Sequence, residues 1–477
     1  MHKEYDIVIG LEIHVELQTN TKIFCSCKNE FGGKQNSHVC QGCAGFPGVL
    51  PIPNKHAFEL AIRAGLALNC EINNLSRFER KHYFYADLPD AYQLTQNDQP
   101  ICMGGHVDIN CNDYDKRIRL NHIHLEEDAG KLVHDGLYGG SGVDLNRSAV
   151  PLIEIVTEPD FSNANEVVAF LEKVKSTMQY LGVSDCKMQE GSMRCDVNVS
   201  VKEKGTTELG IRTEMKNMSS FSNVVKAIEY ESNRHIELIE NGETVKRQTR
   251  GWNEAKNETF ALRSKEDAHD YRYFPEPNIP PVFISDEQIK RIKDSQPKLA
   301  QELRMIFIEK YSLPDYDAQV LTQSKYIANF FQSTVELGAN AKTASNWIMM
   351  DVLRLLKEKN KEPAELVLQP EQMFKLIKLV EEGKINQSVA KGVLEEIFEN
   401  DKDPEKIVEE KGLLQINDQD EILSIVKEVI SKNMDAIEKY KAGNTKALAA
   451  VVGQTMKATK GKANPKLVNE LILKEIQ

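Results

Sequence analysis

The sequence predicts an α+β chain: a mostly antiparallel β-sheet cradle domain over residues 1–290, an all-α helical domain over 291–402 and a small all-α tail domain over 403–477. Three observations predict it. From Met1 to about Pro280 the text consists of short alternating runs such as "RCDVNVSVK", broken by Gly, Asn, Asp and Pro, which is the pattern of strands and turns. Beyond about Asp286 the period becomes helical, and near "ENDKDPEK", residues 399–406, a polar linker with Pro404 marks a second shift.

Composition bounds the rest. At 477 residues the chain exceeds what one hydrophobic core holds together. Hydrophobic residues make up 41% and charged residues 28%, no apolar run is long enough to span a bilayer, and "MHKEYDIVIG" lacks signal-peptide architecture, so a cytoplasmic protein without membrane contact is expected. Nine cysteines, an odd number, fit buried thiols or metal ligands in a reducing compartment better than a disulfide framework. The net charge of −12 argues against general coating of nucleic acid, although a local basic patch could still bind it.

The first strand poses the functional question. In "VIGLEIHVELQTNTKIFCSC", Leu11, Ile13, Val15 and Leu17 line one face of an extended segment while Glu12, His14 and Glu16 line the other. By itself that polar row is either a solvated surface or the start of a cation site. The pattern recurs downstream: Arg194, Asp196, Asn198 and Ser200 share a face opposite Met193, Cys195, Val197 and Val199, "HIHLEEDAGK" is a further charged run, and Glu154 stands between Ile153 and Ile155, where burial is costly unless the carboxylate is paired or bound to a cation. Several such strands make a sheet with one apolar and one acidic face bearing Asn and Arg, suited to divalent metal and phosphate. There is no G-x-x-x-x-G-K-[ST] loop and no G-x-G-x-x-G after a strand, and "YGGSG" at 138–142 reads as a hairpin loop, so any ATP would lie on a side-chain cradle.

Cys25, Cys27, Cys40 and Cys43 form C-x-C-x12-C-x2-C, two pairs that can wrap four thiolates around Zn²⁺, with Gly32, Gly33, Gly42 and Gly45 allowing tight turns. Four thiolates leave no open position, so such a zinc is structural. In the helical region Met373, Leu376, Ile377 and Val380 recur at i, i+3, i+4 and i+7, with Gly383 placed to end the helix. From Lys441 onward seven lysines (441, 446, 457, 460, 462, 466, 474) face two glutamates (470, 475), a basic tail on an acidic chain. Inside it Asn464 is the expected N-cap and Pro465 the first residue of a helix striped with Leu467, Val468, Leu471 and Ile472.

The motifs "GLEIHVEL", "RKHYFYADLPDAYQLTQ", "HLEEDAGK", "VDLNR…PLIEIVTEPD", "GSMRCDVNVSV", "EMKNMSSF" and "DAHDYRYFPEP", with the C-terminal "VGQTMKATKGKANPKLVNELI", resemble the GatB family of bacterial aspartyl/glutamyl-tRNA amidotransferase subunits, in order over the whole chain. The resemblance implies an enzyme subunit working in a heterotrimer with an amidase subunit plus a third, small subunit. It implies ATP-dependent phosphorylation of the side-chain carboxylate of Glu-tRNA(Gln) or Asp-tRNA(Asn), followed by amidation with ammonia from glutamine. The family's cation pattern maps onto Glu12, His14, Glu127 and Glu154 for Mg²⁺, with Mn²⁺ an apt substitute because histidine is an atypical Mg²⁺ ligand. Lys81, Arg194, Asp196, Asn198 and Lys216 are the nominees for handling phosphate and the acceptor end, with Lys81, Arg194 and Asn198 on the nucleotide. The chain departs from the family pattern at His82, Ala86, Ala149, Met218 and Ser219, none of them a proposed metal ligand.

Two rival classes fit parts of the text. One is a non-enzymatic zinc-containing tRNA-binding protein, disfavoured because carboxylates embedded in strands beside Asn and Arg repel phosphate. The other is an ATP-dependent ligase acting on a free amino acid, which leaves the basic tail domain over 403–477, expected to bind tRNA, without a purpose.

Overall fold

The computed structural model describes residues 4–111, 113–134, 140–264, 271–415, 419–441, 446–459, 463 and 465–476. Two compact units are formed, residues 1–299 and 300–477. Among the described residues no helix is long and apolar enough to cross a membrane.

The first unit is organised by one large sheet. Its strands are β1 (Tyr5–Glu16), β4 (Asp115–Glu127), β5 (Pro151–Thr157), β6 (Met193–Glu203), β7 (Thr213–Lys216), β8 (Gln248–Asn253) and β9 (Glu258–Ser264); β2 (Glu79–His82) and β3 (Tyr92–Thr95) belong to a separate small sheet. The order is β9-β8-β7-β6-β1-β5-β4, continued by the short strands Cys102–Met103 and Glu71–Ile72, and β4 also pairs with His106–Asn110. Only the β7–β8 pair is parallel among these strands; the others run antiparallel as expected.

The strict alternation in β1 decides which face is buried. Ile9, Leu11, Ile13 and Val15 are all 1% exposed or less, each contributing on the order of 2 kcal/mol of transfer free energy. Three helices cover that side: α1 (Lys55–Ala67), α2 (Ala164–Leu181) and α3 (Phe221–Glu240). Helix α1 packs on β4 and β5, α3 packs on β6 and β9, and α2 lies against both helices. Each begins where a side-chain oxygen can take an otherwise unpaired backbone N–H: Asn54 accepts from His56 N, Asn163 from Glu166 N and Ser220 from Asn223 N. The opposite face of the sheet keeps its polar row.

The second unit is helical. Pro370–Glu381 buries Met373, Leu376, Ile377 and Leu379, and Gly383 follows at φ +67°, in the left-handed region where glycine has no Cβ to strain. Asp403 caps Pro404–Glu410, whose helix packs against Pro370–Glu381 and Gln387–Ile397. A separate apolar cluster including Ile422, Val426, Ile437, Val451, Val468 and Ile472 joins the four helices Gln419–Lys432, Met434–Lys441, Lys446–Ala458 and Pro465–Ile476. Pro465 is the first residue of the last helix; the expected cap Asn464 and the tail lysines 460 and 462 lie outside the described residues, as do parts of "YGGSG" and of "DAHDYRYFPEP".

Candidate active site and cysteine cluster

Strand register assembles the polar face. Reading across the sheet, His124 of β4 stands opposite Glu154 of β5, Glu154 opposite His14 of β1, and His14 opposite Arg194 of β6. One step along, Glu12 is paired with Asp196, and beyond it Asn198 with Glu214 of β7. Because directly opposed side chains stand about 5 Å apart on one face, five strands deliver their acids, imidazoles and cations to one patch.

Two clusters result. In the first, His14 Nε2 lies 3.2 Å from Glu154 Oε2 and 3.5 Å from Glu126 Oε1, while His124 Nε2 is 3.5 Å from both carboxylates. His14, Glu126 and Glu154 can each offer one ligand atom to a common cation. Burial disfavours a charged imidazole, but the hydrogen bond to Glu154 and the charges of Glu154 and Glu126 outweigh it and raise His14 to about 9. Glu154 is driven well below the usual carboxylate range: burial opposes this, and His124, His14 and Lys81 overcome it. His122, whose ring stacks on His124 at 5.1 Å, is pushed down to about 4 by burial and by its neighbour.

The second cluster is Glu12, Asp196 and Glu214, again close enough to share a cation. Lys216 Nζ meets Asp196 Oδ2 and lies 3.0 Å from Glu214 Oε1; Asn198 Nδ2 donates to Glu12 Oε1 at 3.1 Å. Glu12 is raised by burial and by the charges of Glu154, Glu214 and Asp196, with Lys216 opposing. Such crowding of carboxylates is what a cation relieves.

Cationic side chains border both clusters. Arg194 Nη2 donates to Asp128 Oδ2 at 2.7 Å, and Arg147 shares that carboxylate at 3.1 Å. Lys81 comes from β2 in the small sheet; its Nζ lies 5.1 Å from the centre of the Tyr271 ring and 5.9 Å from that of Tyr83. Burial works against its charge, and Glu126 and Glu154 more than restore it.

Glu127 is placed elsewhere. Successive side chains of β4 alternate, so His124, Glu126 and then Asp128 face the patch while Glu127 turns toward β3, where its Oε1 accepts from Leu94 N at 2.9 Å. There it lines a cavity of about 50 Å³ with Cys25, Cys43, Tyr92 and Leu94. Burial is the main cause that pushes Glu127 up to about 8, against the pull of Leu94 N–H. The structure thus brings Glu126, not Glu127, to His14 and Glu154. The parity of β4 carries that signal: Glu126 shares it with His122 and His124, and the family pattern points one residue further on. Glu214, Asp128 and Arg147 are likewise absent from the sequence nominees, since only pairing and loop packing bring them in.

The four cysteines do converge. Cys43 Sγ is 3.8 Å from Cys40 Sγ and 3.9 Å from Cys27 Sγ, and all four sulfurs lie within 4.8 Å of one another. Thiolates at the usual Zn–S length of about 2.3 Å in a tetrahedron stand about 3.8 Å apart, so the donor set fits zinc. Gly45 takes φ +67° with Pro89 only 2.9 Å from where a Cβ would sit, which requires glycine there. The cluster is bound to the loop before β5: Ile23 N donates to Ala149 O and Ser148 Oγ to Cys43 O. Ala149 itself adopts φ +60°, in the left-handed region that a residue with a Cβ rarely enters.

Comparison with known proteins agrees with this architecture. Residues 7–290 match the family model described as the GatB/GatE catalytic domain, and residues 329–476 match the one described as the GatB domain. The chain is 54% identical over 477 residues to the GatB subunit of the aspartyl/glutamyl-tRNA(Asn/Gln) amidotransferase of Caldicellulosiruptor saccharolyticus, covering 99% of each chain. It is 51% identical to the proteins of the same name from Thermoanaerobacter pseudethanolicus and Clostridium tetani, again over 99% of each chain. The chain belongs to the GatB family.

Proposed function

We propose that this chain is the phosphorylating and amidating subunit of a tRNA-dependent amidotransferase in the cytoplasm, a heterotrimer completed by an amidase subunit plus a third, small subunit, with Glu-tRNA(Gln), Asp-tRNA(Asn) or both as substrates. The observation that carries this reading is the pair of adjoining clusters on one sheet face, His14/Glu126/Glu154 and Glu12/Asp196/Glu214, bordered by Lys81, Arg194 and Lys216. His14, Glu126 and Glu154, with Glu12 alongside, would hold Mg²⁺ or Mn²⁺. The bound cation supplies electrostatic stabilisation of charge developing on the phosphoryl group. Lys81, Arg194 and Lys216 neutralise the phosphates of ATP, and Asn198 and Asp196 orient the ligands around them.

A carboxylate is a poor electrophile. One oxygen of the substrate side chain attacks the γ-phosphorus, ADP departs, and the resulting acyl phosphate has a good leaving group. Ammonia then adds at the carbonyl carbon, phosphate leaves, and loss of a proton gives the amide. Hydrolysis of that intermediate is limited if water is kept from it while ammonia is supplied internally.

The test is an assay of the co-purified complex on both charged tRNAs with ATP and glutamine. Glutamine- and ATP-dependent formation of Gln-tRNA or Asn-tRNA is the expected result. Tight tRNA binding without either conversion would favour the non-enzymatic zinc-containing reading instead.

A further inference from the structure

Away from the acidic face, one buried charge stands out. Lys22 lies between β1 and the first cysteine pair and is 0% exposed. Its Nζ lies 3.5 Å from Cys43 Sγ and donates to Leu145 O at 3.0 Å. Taking an ammonium out of water costs several kcal/mol unless a negative group stands beside it. Leu145 O is only a dipole, so Cys43 Sγ is the group that can carry the compensating charge. That sulfur also receives Cys40 N–H at 3.2 Å.

The converse argument runs from the metal. Four thiolates around one Zn²⁺ leave a formal charge of −2, and low local dielectric makes an uncompensated dianion expensive. The other lysines of this segment do not supply the charge: Lys28 is exposed and paired with Glu30 at 2.7 Å, and Lys34 is exposed. Lys22 does so from the protein side, where it also joins the cluster to the 143–149 loop.

We propose that Lys22 is the charge-compensating partner of a zinc ion held by Cys25, Cys27, Cys40 and Cys43, clamping the site onto the loop at Leu145. The proposal rests on the zinc reading. Partners of this kind around the donor atoms commonly change metal affinity by about 10- to 100-fold.

The experiment is zinc release from the assembled complex to a chromogenic chelator, with thermal unfolding measured alongside, for wild type, Lys22→Met, Lys22→Gln and Lys22→Arg. Zinc content of the wild type is measured first. Absence of zinc there would defeat the zinc reading itself. With zinc present, Lys22→Met is expected to release it at least about tenfold faster, and Lys22→Arg at close to the wild-type rate. Lys22→Gln keeps a hydrogen-bond donor without the charge, so it too should release zinc faster, and it carries the test if the Met variant fails to fold. Release from the Gln and Met variants at the wild-type rate, whatever their melting temperatures, would overturn the proposal and leave Lys22 as a brace for the loop.

Discussion

The acidic patch and the cysteine cluster lie in the same unit and are both built from groups that bind metals, yet they differ in every property that decides what a metal can do. The first cluster of the patch offers two carboxylates and one imidazole from β1, β4 and β5, with Lys81 and Arg194 at its edge. The cysteines offer four soft donors from one segment, all spent on each other's geometry. Hard, incomplete ligation leaves room for phosphate and substrate, whereas closed thiolate ligation leaves none. Coordination positions left open, more than the presence of ligands, separate chemistry from stapling.

That comparison can be broken most directly at adjacent residues. Glu126→Gln removes a charge from the patch, and ATP-dependent conversion of charged tRNA is expected to fall by about 10³-fold, while glutamine hydrolysis by the complex persists. Glu127→Gln should change conversion by less than about fivefold, because a buried carboxyl raised to about 8 is mostly protonated at neutral pH and glutamine resembles that form. Steady-state kinetics of both variants decide the matter. The reverse ranking would move the reactive site to the cavity side of β4.

Replacing Cys40 and Cys43 by serine should abolish zinc content and cost about 3 kcal/mol or more of stability. Conversion per folded molecule should stay within a few-fold of wild type. Metal analysis with thermal unfolding checks the first two, and an active-site-normalised assay checks the third.

A third carboxylate sharpens the contrast from another side. Glu231 of α3 is fully buried like Glu126, but it is satisfied: Arg234 contacts Oε1, His235 Nε2 lies 3.2 Å away, Arg250 Nε lies 3.4 Å from Oε2 and Thr259 Oγ1 donates at 2.8 Å. Burial alone would raise it, but these partners lower it from an ordinary 4.5 to about 2. A depressed carboxylate contributes stability that is present above its unfolded value, so this contribution, on the order of 3 kcal/mol, should fade as pH falls from about 4.5 through about 2. Denaturant midpoints across that range should decline more steeply for wild type than for Glu231→Gln, which is already destabilised at neutral pH. Equal slopes would mean that Glu231 is not held ionised by its partners.

The smallest effect concerns the tail. Helix Pro404–Glu410 packs on the helices before it, so a clean truncation removes residues 419–477, whose helices have their own apolar cluster. The truncated complex is expected to show a KM for charged tRNA raised about tenfold and a flatter dependence on salt, since phosphate contacts set affinity without selecting the reaction. An unchanged KM at moderate salt would make the tail a structural cap.

Periodicity made much of this legible beforehand. The alternation of β1 separated Ile13 and Val15 from Glu12 and His14, the helical period placed Met373, Leu376 and Ile377 in a core, and cysteine spacing named all four sulfurs, because each signal is local to a few consecutive residues. The shared parity of His122, His124 and Glu126 was legible too, but the side of the sheet on which they stand, the arrival of Glu214 beside Glu12, and the contact of Lys22 with Cys43 needed the folded chain. Strand register joins Glu12 to Glu214 and His14 to Glu126 across more than a hundred positions, and no local pattern encodes which strands then stand side by side. A shift of one residue along β4 would exchange the two glutamates between the patch and the cavity, and only the tertiary hydrogen bonds that lock its register decide between them.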